Sequence, residues 1–259
     1  MKTATRTSRM RSVTAGAFGM AAFAYAAFAA VTWLRYGDDT QAAPDEQDAL
    51  LDHFMPEYEV VERHRIHVAA PADVTFVAAK DQDLLQSPLV RAIFTARQIV
   101  LGGTPDDTSR PRALLAQMLT LGWGVLAEEP GRKIVVGAVT KPWEANVVFT
   151  PLPPDRFRAF SEPGFVKIAW TLRADPLDAT SSIFRTETRA IATDRVARGR
   201  FRRYWSFVSP GVILIRRLSL QPLRREAERR AREVHHAGPT HIRNGGTFHD
   251  VAVEGVVAF

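Results

Sequence analysis

The alternation of polar and apolar residues in three segments is the feature of this sequence that most restricts its fold. In residues 58–69, the even-numbered side chains from Tyr58 to Val68 lie on one face of an extended chain, and the odd-numbered side chains lie on the other. A period of two residues is typical of a β-strand with one face against a core. Pro130 and Gly131 predict a hairpin turn between two shorter apolar segments, which makes those strands antiparallel. Strands are predicted at residues 58–69, 123–128, 133–140, 144–150, 165–174 and 182–193.

Helical spacing of apolar residues follows the first strand and returns after the last one. The final helix is predicted at residues 195–232, because Asp194 is a good N-cap and an apolar stripe follows it. Pro210 and Gly211 are expected to kink or break this helix midway. A run of strands with helices before and after it indicates an α+β fold. The stripe consists of Phe201, Tyr204, Trp205 and Val208, and earlier helices are predicted to begin at Pro71 and to span residues 84–101, 113–119 and 153–160.

Three stretches of the sequence carry a resemblance to a known family. They are residues 58–74, where a strand leads into a helix that begins at a proline, and residues 165–172 and 184–190. In the order and character of these elements, residues 54–232 resemble the SRPBCC superfamily, which includes START proteins, polyketide cyclases and the birch-pollen allergen. The resemblance implies a helix-grip fold, in which a curved antiparallel sheet wraps around a long C-terminal helix. It also implies a deep cavity for an apolar ligand and, since the superfamily has no universal catalytic motif, it assigns no catalytic residue.

An uncharged run at residues 12–34 follows a basic N-terminus. At a rise of ~1.5 Å per residue this run would extend over ~34 Å, enough to cross a hydrocarbon core ~30 Å thick. We expect a retained transmembrane helix, with a cleaved signal segment and a soluble buried helix as the alternatives. Basic residues before the run outnumber those shortly after it, so the N-terminus is predicted to be cytoplasmic and the domain to lie on the outer, periplasmic or extracytoplasmic side.

The resulting organisation has one folded domain of ordinary size. Its parts are a basic cytoplasmic N-terminus at residues 1–11, the transmembrane or signal segment at 12–34, a linker at 35–53, the helix-grip domain at 54–232 and a tail at 233–259 that is expected to be disordered.

The positive charge of the chain is concentrated in the predicted C-terminal helix. The net charge is +6, while residues 195–232 alone contain twelve arginines and two glutamates. No nucleic-acid-reading motif or basic–aromatic interleaving accompanies this segment, so no nucleic-acid partner is predicted. The segment is interpreted as a solvated helix face or as a surface for anionic lipid headgroups. The candidates for the membrane surface are Arg216, Arg217, Arg224 and Arg225.

Polar residues on otherwise apolar strand faces are the candidates for a ligand site. Glu62 and His64 lie two residues apart on the first strand, so both side chains point to the same face. In a cavity they would orient a ligand or shift each other's pKa, whereas on an edge strand they would be a local irregularity. The remaining cavity candidates are Trp170, Thr186, Thr188 and Tyr204, for which plain core packing is the alternative. The opposite face of the last strand, with Arg185, Glu187 and Arg189, is predicted to form a salt-bridge ladder in water.

These observations favour a binding module over an enzyme. We expect a membrane-anchored domain that holds or transfers a lipid-like or other apolar small molecule. The alternatives are a cyclase- or hydratase-type enzyme with Glu62 and His64 as an acid–base pair, and a membrane-associated interaction protein. The chain has no cysteine, and its histidines at 235, 236, 241 and 249 match no zinc spacing, so no metal or cofactor is predicted. The oligomeric state is left open.

Overall fold

The protein folds as an α+β domain built on one antiparallel sheet. The computed structural model describes residues 20, 23–38, 42–102 and 111–236. In this part of the chain the helices are α1 (residues 23–34), α2 (Ala49–Phe54), α3 (Ala72–Asp81), α4 (Pro88–Val100), α5 (Leu114–Thr120), α6 (Pro154–Ala159) and α7 (Arg195–His236). The strands are β1 (Val60–Val68), β2 (Gly124–Glu129), β3 (Lys133–Thr140), β4 (Phe149–Thr150), β5 (Val166–Pro176) and β6 (Ser182–Ala192). Short 3-10 turns occupy Pro44–Glu46 and Leu84–Gln86.

The sheet joins the first strand of the domain to the last. Its order is β1-β6-β5-β3-β2, with β4 paired to β3, and every pairing is antiparallel. The predicted hairpin between β2 and β3 is confirmed, and Gly131 adopts a φ of 71° there, a conformation that favours glycine. The strand predicted at residues 144–150 is reduced to the two residues of β4.

The sheet is covered on both faces by helices. On the inner face, α3, α5 and α7 pack over Trp170, Leu172 and Phe184. On the outer face, α2 and α6 contribute Leu51 and Phe157 to a second apolar cluster. Burying both faces in this way gives a three-layer arrangement with the sheet in the middle. A long C-terminal helix against an antiparallel sheet is the arrangement that a helix-grip fold requires.

The segment expected to be a linker contributes to the core. Residues 42–53 contain most of α2, whose Leu51 is fully buried. Asp48 caps this helix by accepting a hydrogen bond from the Leu51 amide and also pairs with Lys133 Nζ at 3.0 Å. A helix of six residues is too short to display a helical period, which is why the polar sequence around it suggested a linker.

The outer face of the last strand is buried under α2, and this corrects the prediction of a ladder in water. Arg189 is only 2% exposed. Its guanidinium donates to Glu187 Oε1 at 2.7 Å, to Asp52 Oδ1 at 2.6 Å and to the Met55 carbonyl at 2.7 Å. The Tyr58 ring lies 4.7 Å from the same guanidinium. The alternating pattern identified the strand face correctly, but it could not show which helix would cover that face.

Helix α7 holds the inner face of the sheet, as its aromatic stripe predicted. Phe201 is buried in a cluster with Val60 and Val166, and Tyr204 and Trp205 pack against this cluster. Asp194 caps the helix through hydrogen bonds from the Val196 and Ala197 amides. The helix continues through Pro210 and ends at His236, so the predicted break does not occur.

Helix α1 packs alongside the first half of α7. The Tyr25 hydroxyl donates to the Phe207 carbonyl, and the Arg202 guanidinium donates to the Trp33 carbonyl at 2.6 and 2.9 Å. Arg202 also lies 4.4 Å from the centre of the Trp33 ring. These contacts link the end of the apolar run to the domain.

The predicted transmembrane run is described only in part. Residues 12–19, 21 and 22 lie outside the described residues, as do the N-terminal residues before them and the tail from 237 onward. Among the helices that the structure describes, none is both long enough and apolar enough to cross a membrane.

Replacing Arg189 by alanine is expected to lower the free energy of unfolding by about 3–5 kcal/mol, because it removes a buried guanidinium that donates to Glu187, Asp52 and the Met55 carbonyl. Urea denaturation followed by far-ultraviolet circular dichroism measures the change. Arg225→Ala, at an exposed position of α7, is the matched control and should change stability by about 0.5 kcal/mol or less. Equal stability of the two variants would show that the Arg189 contacts contribute little.

Candidate functional site

A group of polar side chains lies on the inner face of the sheet beneath α7. The strand registers place Glu62 opposite Thr188 and His64 opposite Thr186, while Trp170 of β5 is also opposite Thr188. Glu62, His64, Thr186, Thr188 and Trp170 therefore occupy adjacent positions on three neighbouring strands. We refer to these five residues as the inner polar cluster.

Arg216 of α7 completes this cluster from above. Its guanidinium donates to Thr186 Oγ1 at 3.3 Å and to Thr188 Oγ1, and lies 5.8 Å from the centre of the Trp170 ring. Trp170 Nε1 donates to Thr186 Oγ1 at 2.6 Å. The sequence pattern predicts Arg216 on the membrane surface. The residue lies instead between helix and sheet, because its position on α7 faces β6.

The other three arginines proposed for the membrane surface lie toward solvent. Arg217 and Arg225 are exposed, and Arg224 is half-buried with its Nε 3.7 Å from Glu228 Oε1. Their contact with a membrane stays a prediction.

Burial and the nearby arginines decide the charges in the cluster. Burial, followed by the positive charges of Arg216 and Arg217, lowers the pKa of His64 to about 4. Burial raises the pKa of Glu62, and the same two arginines oppose this rise. Burial also lowers the pKa of Arg216 to about 10, against the effect of Glu62. At neutral pH, His64 is therefore uncharged and Arg216 is a cation.

Glu62 and His64 approach each other without forming a hydrogen bond. His64 Nε2 lies 3.6 Å from Glu62 Oε2, and this nitrogen is buried and has no hydrogen-bond partner among the described residues. The two side chains are 20% and 10% exposed, respectively. Since His64 is neutral at pH 7, the pair is not an ion pair under those conditions.

Apolar residues surround the inner polar cluster. Ile66 and Ile168 pack at its borders, and Leu220 of α7 belongs to the same core. Tyr204 lies in the neighbouring aromatic group, with its ring centre 6.3 Å from that of Phe201. This group packs on Val60, which is two residues from Glu62 on the same strand. The arrangement offers a few polar groups within an apolar layer, which suits an amphipathic small molecule.

The sequence patterns did not predict a cleft on the outer face of the sheet, whose lining also includes His64 and Thr186 of the inner polar cluster. It has a volume of about 40 Å³ and lies between the Pro44–Glu46 turn and strands β1, β5 and β6. Most of its lining is charged. Arg65 pairs with Asp45 at 2.9 Å and Arg185 pairs with Asp175 at 3.0 Å. Paired charges and a volume that holds only about one to three water molecules make this cleft unsuitable for an apolar ligand.

Comparisons with known proteins give partial structural similarities only. No family model matches the sequence, and no curated protein matches it. Among solved structures, a conserved protein of Geobacillus kaustophilus is 10% identical, with 67% of this chain and 96% of that chain covered and a TM-score of 0.30. A START superfamily protein of Mycobacterium smegmatis is 13% identical, with 67% and 98% covered and a TM-score of 0.24. The Zhui aromatase/cyclase of a Streptomyces species is 17% identical, with 69% and 98% covered and a TM-score of 0.22.

At these TM-scores the similarities carry no argument about the chemistry of this chain. The α+β architecture follows from its own sheet order and from the packing of α7, and the site follows from the contacts of the inner polar cluster.

The neutral state of His64 is directly measurable. Two-dimensional NMR of the histidine side chains should show one imidazole that stays neutral at pH 5 and titrates near pH 4. The unfolded chain takes up this proton near the ordinary pKa of 6.5, so His64 should make the folded state less stable as the pH falls from about 6.5 to about 4. His64→Asn should remove both the signal and that part of the pH dependence. A His64 signal that titrates at 6.5 would contradict the burial of this side chain.

Proposed function

We propose that the protein binds a lipid-like or other apolar small molecule in the layer between the sheet and α7. The inner polar cluster, together with Arg216, is the observation that carries this proposal, because these polar groups are surrounded by apolar residues of the sheet and α7. Apolar burial, at ~25 cal/mol per Å², would supply most of the binding free energy. The polar groups would orient the ligand.

We further propose that the domain works at a membrane. In support, Phe207, Leu214 and Leu218 are exposed apolar residues of α7, and Arg217 and Arg225 are exposed on the same helix. Exposed apolar side chains flanked by arginines are typical of surfaces that contact anionic lipid headgroups. The proposed transmembrane segment at 12–34 would hold this surface near the bilayer, with the N-terminus in the cytoplasm and the domain outside.

An enzyme of cyclase or hydratase type is the second candidate function. The approach of His64 Nε2 to within 3.6 Å of Glu62 Oε2 favours it, because two titratable groups at this distance can exchange a proton through a substrate. The low pKa of His64 counts against it, since a base with a pKa of about 4 is weak at neutral pH. A membrane-associated interaction protein would use the exposed surface of α7 and would need no ligand.

Native mass spectrometry of the full chain, purified from a bacterial host, tests the binding function. We expect a co-purifying apolar molecule that organic solvent extracts. Thr188→Phe places a bulky ring within the inner polar cluster and should abolish co-purification, whereas Thr180→Phe, in the exposed turn between β5 and β6, should not. Both variants must show the wild-type melting temperature. A wild-type chain that carries no ligand, and binds none when apolar lipids are supplied, would rule out the proposal.

A double variant separates the binding function from the enzymatic one. Replacing both Glu62 and His64 by glutamine keeps their size and hydrogen-bonding capacity but removes their acid–base chemistry. Ligand occupancy should then change by less than about threefold, because burial of the apolar part dominates binding. Loss of a measurable turnover with occupancy unchanged would support the enzyme instead.

Reporter fusions test the proposed topology. A reporter that is active only outside the cytoplasm, fused after residue 236, should be active, and a cytoplasm-only reporter at the same position should be inactive. The membrane fraction should contain the fusion protein. The reverse pattern would overturn the proposed orientation.

A further inference from the structure

We propose that Arg216 is the receptor for an anionic head group, so that the ligand is an apolar molecule ending in a carboxylate or a phosphate monoester. This inference rests on the proposed binding function and specifies its substrate class. The two head groups share the chemistry that a guanidinium recognises, namely two or more oxygens that carry negative charge.

The hydrogen bonds of Arg216 leave its charge without a close partner. A guanidinium has five N–H donors, and in the described part of the chain Arg216 uses them only toward the hydroxyls of Thr186 and Thr188. Within that part, no carboxylate oxygen lies within 4 Å of it, and the acidic group that acts on it electrostatically is Glu62. A cation held in an apolar layer by neutral hydroxyls costs free energy that a bound anion would offset.

Arg189 is an arginine of the same sheet whose charge and hydrogen-bond donors are paired within the protein. Its guanidinium has carboxylate oxygens at 2.6 and 2.7 Å and a carbonyl oxygen at 2.7 Å. Arg216 contacts the inner face of β6, and Arg189 is a residue of β6 on its outer face. Arg189 has two close carboxylates, and Arg216 has none among the residues that the structure describes. The difference indicates that the charge of Arg216 is kept for a partner that is not part of the described chain.

A second unpaired group lies on the neighbouring strand. His64 Nε2 is buried and has no hydrogen-bond partner among the described residues, and its register position is opposite Thr186, which accepts from Arg216. As a neutral imidazole, His64 can donate one hydrogen bond through this nitrogen. Arg216 and His64 are therefore two groups near Thr186 that can donate hydrogen bonds to an anion.

Glu62 carries the opposite charge to Arg216, so replacing it should change the affinity for an anionic ligand in the opposite direction. Its carboxylate lies in the same cluster, 3.6 Å from His64, and acts electrostatically on Arg216. A ligand anion at Arg216 would be repelled by Glu62 where this residue is ionised. Removing the charge of Glu62 should therefore strengthen binding of an anionic ligand, whereas removing the charge of Arg216 should weaken it.

The experiment is a competition for the full chain among three probes with the same alkyl chain: dodecanoate, dodecyl phosphate and dodecanol. Native mass spectrometry from uncharged detergent micelles measures the occupancy of each. We expect at least one anionic probe to be preferred over dodecanol by about 10- to 100-fold, the range for a charge-assisted hydrogen bond. The relative occupancies of dodecanoate and dodecyl phosphate distinguish a ligand that ends in a carboxylate from one that ends in a phosphate monoester.

Three variants assign this preference to Arg216. Arg216→Gln should abolish it, and Glu62→Gln should increase it, while Arg232→Gln, an exposed position on the same helix, should leave it unchanged. If Arg216→Gln does not fold, Arg216→Lys keeps the charge without the two-pronged geometry and should reduce the preference partially.

Equal binding of dodecanol and the anionic probes to the wild type would overturn the head-group inference while leaving the binding function intact. An unchanged preference in Arg216→Gln or a reduced one in Glu62→Gln would do the same, whereas absence of binding by all three probes would reject the binding function itself.

Discussion

The pairing of β1 with β6 is the contact on which the rest of the structure depends. It joins residues more than 110 positions apart and makes the first strand a neighbour of the last. Once this register is set, Glu62 and His64 lie beside Thr188 and Thr186 on the inner face, and Arg63 lies beside Glu187 on the outer face. Since β6 leads directly into α7 through the Asp194 cap, the same pairing also places the C-terminal helix over β1.

Arg189 on the outer face of this pair of strands and Arg216 of α7 against its inner face have different surroundings. On the outer face, α2 brings Asp52 and the Met55 carbonyl to Arg189, which makes it part of the connection between helix and sheet. On the inner face, the arginine is Arg216 of α7. The strands contact it through threonine hydroxyl groups and the Trp170 ring. Desolvating a charge is costly on both faces. Among the described residues, only the arginine on the outer face has carboxylate oxygens within 4 Å that compensate this cost.

Much of the sheet and of the inner face could be predicted from sequence patterns. Alternation along β1, β5 and β6 identified the strand faces, and spacing along α7 identified Phe201 and Tyr204 as residues that grip the sheet. The patterns failed where a residue's surroundings depend on a distant element. Arg189 was assigned to water because α2 is too short to be recognised, and Arg216 was assigned to a membrane because it belongs to a basic segment.

The sequence by itself determined which residues share a strand face or a helix face, because these relations follow from the local periods of two and 3.6 residues. The spacing of two residues between Glu62 and His64 was therefore enough to identify both as candidates for one ligand site. Only the tertiary structure decided which face each helix covers, and so whether a given arginine meets carboxylates, hydroxyls or solvent. Contacts of this kind join residues of different elements, such as Arg216 of α7 and Thr188 of β6. A local sequence pattern does not show which distant elements will be in contact. The proposed role of Arg216 rests on such a contact.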